Sequence, residues 1–508
     1  MMDWRPVSLV VALLLAGPPP AHSESSRPNI LFIMADDHTS QAIGVYGSRL
    51  APLNPTPNID RLAKNGIRFD RVFCNNSICT PSRASIITGQ YPQTNGVLDL
   101  TGNIPPDRQL LPIEMKRAGY QTAMVGKWHL KQEPAAFDYY CVLPGQGKYH
   151  NPDFRIRGEK PWPKNVIRAE GKHSSDAITD ISLEWLENGR DKEKPFFLMH
   201  HFKAPHDMFS FAERYSDYLS DVTVPEPDNL FQPPAGSKGS AGLGSGIGKD
   251  HAPWRLGWRL GISPDLDETA YTKASYQEYL KRYLRCVKGV DDNVGRILAY
   301  LEKTGELDNT LILYTGDQGF FLGEHDLMDK RWIYEEAMRM PLVVSWPDGI
   351  KETGTNDWLI NNTDFAPTML EVAGLEKTPE AMQGRSFAAA IRGDEKPTDW
   401  REVTYYRYWM HLAHNLAVPG HFGVRSDRYK LIFFYGTDEN GSAKDRTPVA
   451  WEFYDLEKDP HEMRNEYGNP EYAPVIRTMK EQLTATRKEL DETDEGRPAI
   501  QAIIDANP

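Results

Sequence analysis

The sequence predicts an α/β fold, a large mainly parallel sheet flanked by helices with a smaller antiparallel-sheet subdomain at the C-terminus, on three observations. Short apolar runs at 29–34, 123–125, 196–199, 311–314 and 342–345 are continuous rather than alternating, as in strands buried on both faces. Helical patterns separate them, including a start at Thr56-Pro57, with threonine as cap and proline in the first turn, and a long stretch over 276–302. From about Asp399 the texture changes to aromatic-rich alternating segments at 403–409, 422–424, 429–435 and 451–456, followed by a helix over 471–490.

The domain boundaries follow from these changes of pattern. Residues 1–23 read as a secretory signal: Arg5, an apolar run over 7–16, and Ala21-His22-Ser23 as a small-x-small cleavage site. Ten apolar residues are too few to span a bilayer, which takes about 20, so no membrane span is expected. The mature chain then divides into a catalytic domain over 24–398 and a C-terminal subdomain over 399–508, and its destination is periplasmic or secreted. The Gly- and Ser-rich stretch 233–248 reads as a flexible loop with no chemistry of its own.

A formal net charge of −13 gives the far field the wrong sign for nucleic acid or an anionic membrane. An anionic substrate would have to be met locally, by a metal or a cluster of basic side chains. Only four cysteines occur, Cys74, Cys79, Cys141 and Cys286, too few for a disulfide scaffold and without zinc-type pairing. A Cys74–Cys79 bridge is the simplest reading of that pair in an oxidising compartment.

Open parallel sheets bind ligands beyond the carboxyl ends of their strands. The polar residues that leave the apolar runs are therefore the candidates: Asp36 and Asp37, Lys127 and His129, His206, and Asp317 with Gln318. Cys79-Thr80-Pro81-Ser82-Arg83 adds a cysteine at the start of a helix, where an anion is favoured.

Cys79, Pro81 and Arg83, with Thr88-Gly89 downstream, resemble the Cys-x-Pro-x-Arg signature of the type I sulfatases of the alkaline phosphatase superfamily. The resemblance extends from about Pro28 into the C-terminal subdomain. It implies an alkaline-phosphatase-like fold, and a maturation enzyme that oxidises Cys79 to formylglycine, whose hydrate is the nucleophile. Asp36, Asp37, Asp317 and Gln318, with residue 79 itself, match the family's metal ligands, and such hard oxygen donors suit calcium. Gln318 stands where Asn or His is commoner, and Asp326 follows His325 where Gly is frequent. Lys127 and His129 match the family's Lys-x-His element, His206 its later histidine and Lys330 its last lysine.

The resemblance implies a division of labour. Calcium would coordinate the nucleophile and a sulfate oxygen, and Arg83, Lys127 and Lys330 would bind the remaining oxygens. His206 would protonate the leaving oxygen, and His129 would deprotonate the sulfated hydrate so that sulfate is expelled. A disulfide at Cys79 would destroy this nucleophile, which argues against the Cys74 bridge. Substrate selection is assigned to His325, Arg407, His414 and His421; the aromatic residues around 406–421 suit a sugar ring, and the same composition also fits the packed face of an antiparallel sheet. The expected substrate is sulfated carbohydrate, from glycosaminoglycan, mucin or algal polysaccharide, as for N-acetylglucosamine-6-sulfatase-like enzymes. The alternatives are a phosphonate monoester or phosphodiester hydrolase with the same nucleophile, and a non-catalytic protein that binds sulfated glycans.

Overall fold

Ten strands form one large sheet in the computed structural model, which describes residues 27–232, 235–240, 246–248, 256–442 and 446–508. The proposed signal over 1–23 lies outside the described residues, as does part of the 233–248 loop. Five adjacent strands, Thr310–Gly316, Asn29–Asp36, Phe196–Pro205, Gln121–Lys127 and Tyr139–Leu143, run parallel in that spatial order. Every residue of Asn29–Asp36 is buried, which explains its unbroken apolar run. Ile30, Phe32 and Met34 point into one core and Leu31, Ile33 and Ala35 into the other, because successive side chains leave a strand on opposite faces.

Helices cover both faces. Glu268–Thr304 and Ser174–Glu184 line the second core, while Cys79–Thr88 and Phe365–Val372 line the first. The long helix exceeds its sequence prediction at both ends. Its cap is Asp267, whose side chain accepts from the Ala270 N–H, and Gly305 closes it in a left-handed conformation.

Two local expectations change. The run Leu342–Ser345 is as buried as the others but lies antiparallel to Thr310–Gly316, so apolar continuity reports burial and not direction. Thr56 precedes the Pro57–Lys64 helix, but its hydroxyl does not cap it. That oxygen accepts from the Gly44 N–H and donates to Asp60 instead.

Near the C-terminus, Val403–Tyr408, His421–Ser426, Tyr429–Phe434 and Ala450–Asp455 form an antiparallel sheet in sequence order. Ile476, Met479 and Leu483 of the helix Ala473–Glu489 cover one face, against Phe422, Leu431 and Phe453. The other face, with Tyr406, Tyr408, Ile432 and Phe434, joins the first core of the large sheet. Both faces of this small sheet are therefore occupied by protein.

Candidate active site

Four parallel strands deliver their ends to one crevice. Asn29–Asp36 ends on Asp36 with Asp37 next, Gln121–Lys127 ends on Lys127, Phe196–Pro205 is followed by His206, and Thr310–Gly316 by Asp317 and Gln318. Opposite them, the helix Cys79–Thr88 begins on Cys79, which is 1% exposed. Pro81 fits the first turn, where its missing N–H has no partner to lose. Gly126 is fixed by crowding: its φ is +102°, and a Cβ there would stand 1.9 Å from the His201 carbonyl oxygen. That close approach seats Lys127 at the strand exit.

The basic groups converge on Cys79. Lys330 Nζ lies 3.3 Å and Lys127 Nζ 4.0 Å from Cys79 Sγ. Lys330 also donates to Asp37, and Lys127 to Asp36 and, at 2.6 Å, to Gln146 Oε1. Arg83 is 2% exposed and engaged differently from the expectation that it grips sulfate. Its Nη2 is 2.9 Å from Asp317 Oδ2 and 3.5 Å from Asp36 Oδ1, and Nη1 donates to the Lys127 carbonyl at 2.6 Å. It orients the carboxylates from behind and does not line the cavity in front of Cys79.

His206 Nε2 is 3.8 Å from Asp37 Oδ2, and His206 Nδ1 is 2.7 Å from Asp207 Oδ1. Burial and Lys127 push the His206 pKa down, but Asp36 and Asp37 outweigh them and raise it to about 9. His129 goes the other way: burial first, then Lys127, brings it to about 2, so this imidazole is neutral. Its Nδ1 stands 3.4 Å from the hydroxyl of Thr80, the neighbour of Cys79.

The carboxylates are arranged for a cation. Asp36, Asp37 and Asp317 each bring an oxygen within 4.8 Å of the others, and Asp36, Cys79 and His206 form an overlapping group. Burial and the charge on Asp36 raise Asp317 to about 7, and burial also raises Asp37, so added positive charge between them would relieve the trio. Asp36 Oδ1 and Gln318 Oε1 are buried oxygens without a hydrogen-bond donor. Gln318 turns its amide nitrogen towards Asp37, and half a turn of that amide would exchange nitrogen for the unpartnered oxygen. The donor set is all oxygen at the carboxylate end, which fits calcium.

Cys79 opens into a cavity of about 510 Å³ also lined by Leu100, Gln146, His206, Asp207, Arg259, Asp329, Lys330, Arg331 and His414. Of the four predicted substrate residues, His414 alone lines it. Arg407 is 2% exposed, paired with Glu492 and Asp494, its guanidinium 3.5 Å from the Trp409 ring centre. His421 is fully buried and stacked on Trp332 and Tyr406, donating from Nδ1 to the Pro419 carbonyl and accepting the Ile333 N–H at Nε2. His325 is 2% exposed and stacked on Tyr334, with Nε2 3.9 Å from Glu336. The corrections to Arg407 and His421 share a cause: aromatic alternation marks a sheet packed on both faces, not a surface open to sugar, whereas His325 sits in the turn Glu324–Asp326 and is buried against Phe321 and Tyr334.

Sequence reasoning missed Gln146, Asp207, Arg259, Asp329 and Arg331. The last two flank Lys330, with φ of +76° and +88°. Left-handed backbone on either side brings residues 329–331 to one cavity, where an extended chain would alternate them. Adjacency to Lys330 was the available signal. Cys74 and Cys79 are both free, and Cys74 Sγ instead contacts the Ser77 hydroxyl at 3.2 Å.

The chain is similar to known proteins along most of its length. The sulfatase family model matches residues 28–375, and the model for the C-terminal part of N-sulphoglucosamine sulphohydrolase matches 323–489. An N-acetylglucosamine-6-O-sulfatase of Bacteroides thetaiotaomicron is 39% identical over 519 residues, covering 94% of this chain and 89% of the relative. The N-acetylglucosamine-6-sulfatase of Homo sapiens is 29% identical, covering 75% and 67%. A structure solved in complex with its substrate, D-glucosamine-2-N,6-O-disulfate, superposes with a TM-score of 0.82 at 39% identity, over 92% of this chain and 100% of that one. A phosphonate monoester hydrolase from Silicibacter pomeroyi, 21% identical with a TM-score of 0.67 over 92% of this chain and 96% of its own, shares the fold. With its motif cysteine, carboxylate trio and converging lysines at one crevice, the chain belongs to the sulfatase family.

Proposed function

We propose that this enzyme hydrolyses the 6-O-sulfate ester of glucosamine units carrying an N-acetyl or N-sulfate group, in fragments of sulfated glycans. The observation that carries the substrate is the 39% identity, along nearly the full length of both chains, to a relative named for that activity. The cavity at Cys79, about the size of a sugar with its substituents, supports it.

On this reading Cys79 is oxidised by a maturation enzyme to formylglycine, and Asp36, Asp37, Asp317 and Gln318 hold calcium. When bound, calcium supplies positive charge against the sulfate, and the formylglycine hydrate supplies the attacking hydroxyl. The amines of Lys330 and Lys127, at 3.3 and 4.0 Å from residue 79, bind sulfate oxygens and stabilise the charge that builds on them. His206, whose Nδ1 is held by Asp207 at 2.7 Å and which lines the same cavity as Cys79, gives a proton to the departing sugar oxygen. His129, held neutral, accepts a proton from the nucleophile side, next to Thr80. Asp329, Arg331 and His414 face the sugar across the same cavity. Residues 1–23 direct export, to the periplasm or beyond, and the mature chain comprises the catalytic domain 24–398 and the subdomain 399–508.

The test is sulfate release by enzyme made together with a maturation enzyme. N-acetylglucosamine-6-sulfate and glucosamine-2-N,6-O-disulfate should be turned over, with loss on chelation. Turnover of 3-O- or 4-O-sulfated sugars in preference to these would refute the assigned position.

A further inference from the structure

We propose that Asp207 is the positioning residue of the proton donor His206, a deepening that rests on the acid role just given to that histidine. The geometry is specific. Asp207 Oδ1 is 2.7 Å from His206 Nδ1, while His206 Nε2 is turned to the metal side, 3.8 Å from Asp37 Oδ2. A carboxylate on Nδ1 keeps a proton there in every protonation state, so Nε2 is the nitrogen that gains and loses one. Nε2 is turned to the carboxylate of Asp37, which also takes the amine of Lys330, itself 3.3 Å from Cys79 Sγ.

Other contacts hold this arrangement in place. The Tyr149 hydroxyl donates to the His206 carbonyl and pins the backbone, and Arg259 Nη1 stands 3.8 Å from Asp207 Oδ2 on the far side of the carboxylate. Asp207, Arg259 and His206 all line the cavity, so the link joins the proton donor to the wall that meets the sugar. His206 Nδ1 has a second acceptor, the Asp207 carbonyl at 2.9 Å, which tests whether the carboxylate matters. A carbonyl accepts the same proton, but it does not stabilise the imidazolium as a charged partner does. In the step itself sulfur passes to the nucleophilic oxygen at residue 79 as the ester S–O bond breaks, the sugar oxygen takes the Nε2 proton, and the neutral ring keeps Nδ1–H on Asp207.

Leaving-group dependence separates positioning of an acid from mere folding. A sugar alkoxide needs the proton, whereas 4-nitrophenolate departs with little help. Asp207→Ala, Asp207→Asn and His206→Ala enzymes, matured and calcium-loaded, are compared on N-acetylglucosamine-6-sulfate and 4-nitrophenyl sulfate. Asp207→Ala should lower kcat on the sugar sulfate by about 10- to 100-fold, as loss of an outer partner of a functional histidine does, with a much smaller change on the aryl ester. Asp207→Asn, whose amide oxygen still accepts from Nδ1, should recover part of the loss. Equal losses on both substrates, or none on either, would overturn the assignment, the latter giving the role to the backbone carbonyl. If His206→Ala itself shows no leaving-group dependence, the acid role fails first and the positioning role falls with it.

Discussion

Lys330 Nζ lies 3.3 Å from Cys79 Sγ while it hydrogen-bonds to the Asp37 carboxylate, so one amine joins the motif cysteine to the acidic cluster. Burial penalises this charge, yet Asp37 and Cys79 together raise its pKa well above the usual lysine range, and it remains a cation throughout the working pH. Lys330→Ala should lower kcat for sulfate release by about 10²- to 10³-fold, the scale of one lost charge-stabilising donor. Circular dichroism should show the fold retained. Near-normal turnover in the variant would remove Lys330 from the reacting centre.

The carboxylate trio predicts a stability effect of metal. Calcium added to chelator-treated protein should raise the unfolding temperature, by the equivalent of about 2.7 kcal/mol at a hundredfold excess over Kd. Asp317→Asn should weaken that response, since Asp317 brings an oxygen within 4.8 Å of those of Asp36 and Asp37. Differential scanning calorimetry with and without calcium checks both, and an unfolding temperature indifferent to calcium would contradict the ligand set.

His421 predicts a pH dependence that has nothing to do with catalysis. Burial lowers its pKa from 6.5 to about 4, and the Pro419 carbonyl only partly restores it. The folded group is depressed, so its contribution is complete above pH 6.5 and is lost as pH falls through 6.5 towards 4. One fully buried imidazole with that shift is worth about 3 kcal/mol. Unfolding free energy measured by urea titration should fall across that window, and a His421→Asn variant, less stable at neutral pH, should show a shallower slope. An unchanged slope would place the proton uptake elsewhere.

Arg407 and His414 should behave oppositely, although the sequence suggests the same role for both. Arg407→Ala leaves Glu492 buried without its cation, while Asp494 keeps Arg487, and should cost about 3 kcal/mol of stability while KM of the folded enzyme stays the same. His414→Ala should leave stability alone and raise KM about threefold to tenfold, the value of about one net hydrogen bond to substrate. Thermal melts and steady-state kinetics on the two variants distinguish them.

The crevice was legible in the sequence because buried parallel strands announce themselves as unbroken apolar runs, and the residues at their exits must face one rim. That logic placed Asp36, Asp37, Lys127, His206, Asp317 and Gln318, and the cysteine motif supplied the opposing helix. It could not give strand direction, since Leu342–Ser345 is as apolar as its parallel neighbours. Nor could it tell an aromatic face that receives sugar from one that packs on protein, the distinction that displaced Arg407 and His421. Asp329, Arg331 and Asp207 were hidden because left-handed backbone and the turn after His206 bring neighbours together that regular strand geometry would separate.

The most direct test of the central claim is mass spectrometry of the peptide containing Cys79, from protein made with a maturation enzyme, paired with sulfate release from N-acetylglucosamine-6-sulfate. The account predicts conversion of the thiol to the aldehyde, and release that rises in proportion to the converted fraction and is absent in Cys79→Ala. Sulfate release at full rate from protein whose Cys79 remains a thiol would contradict it.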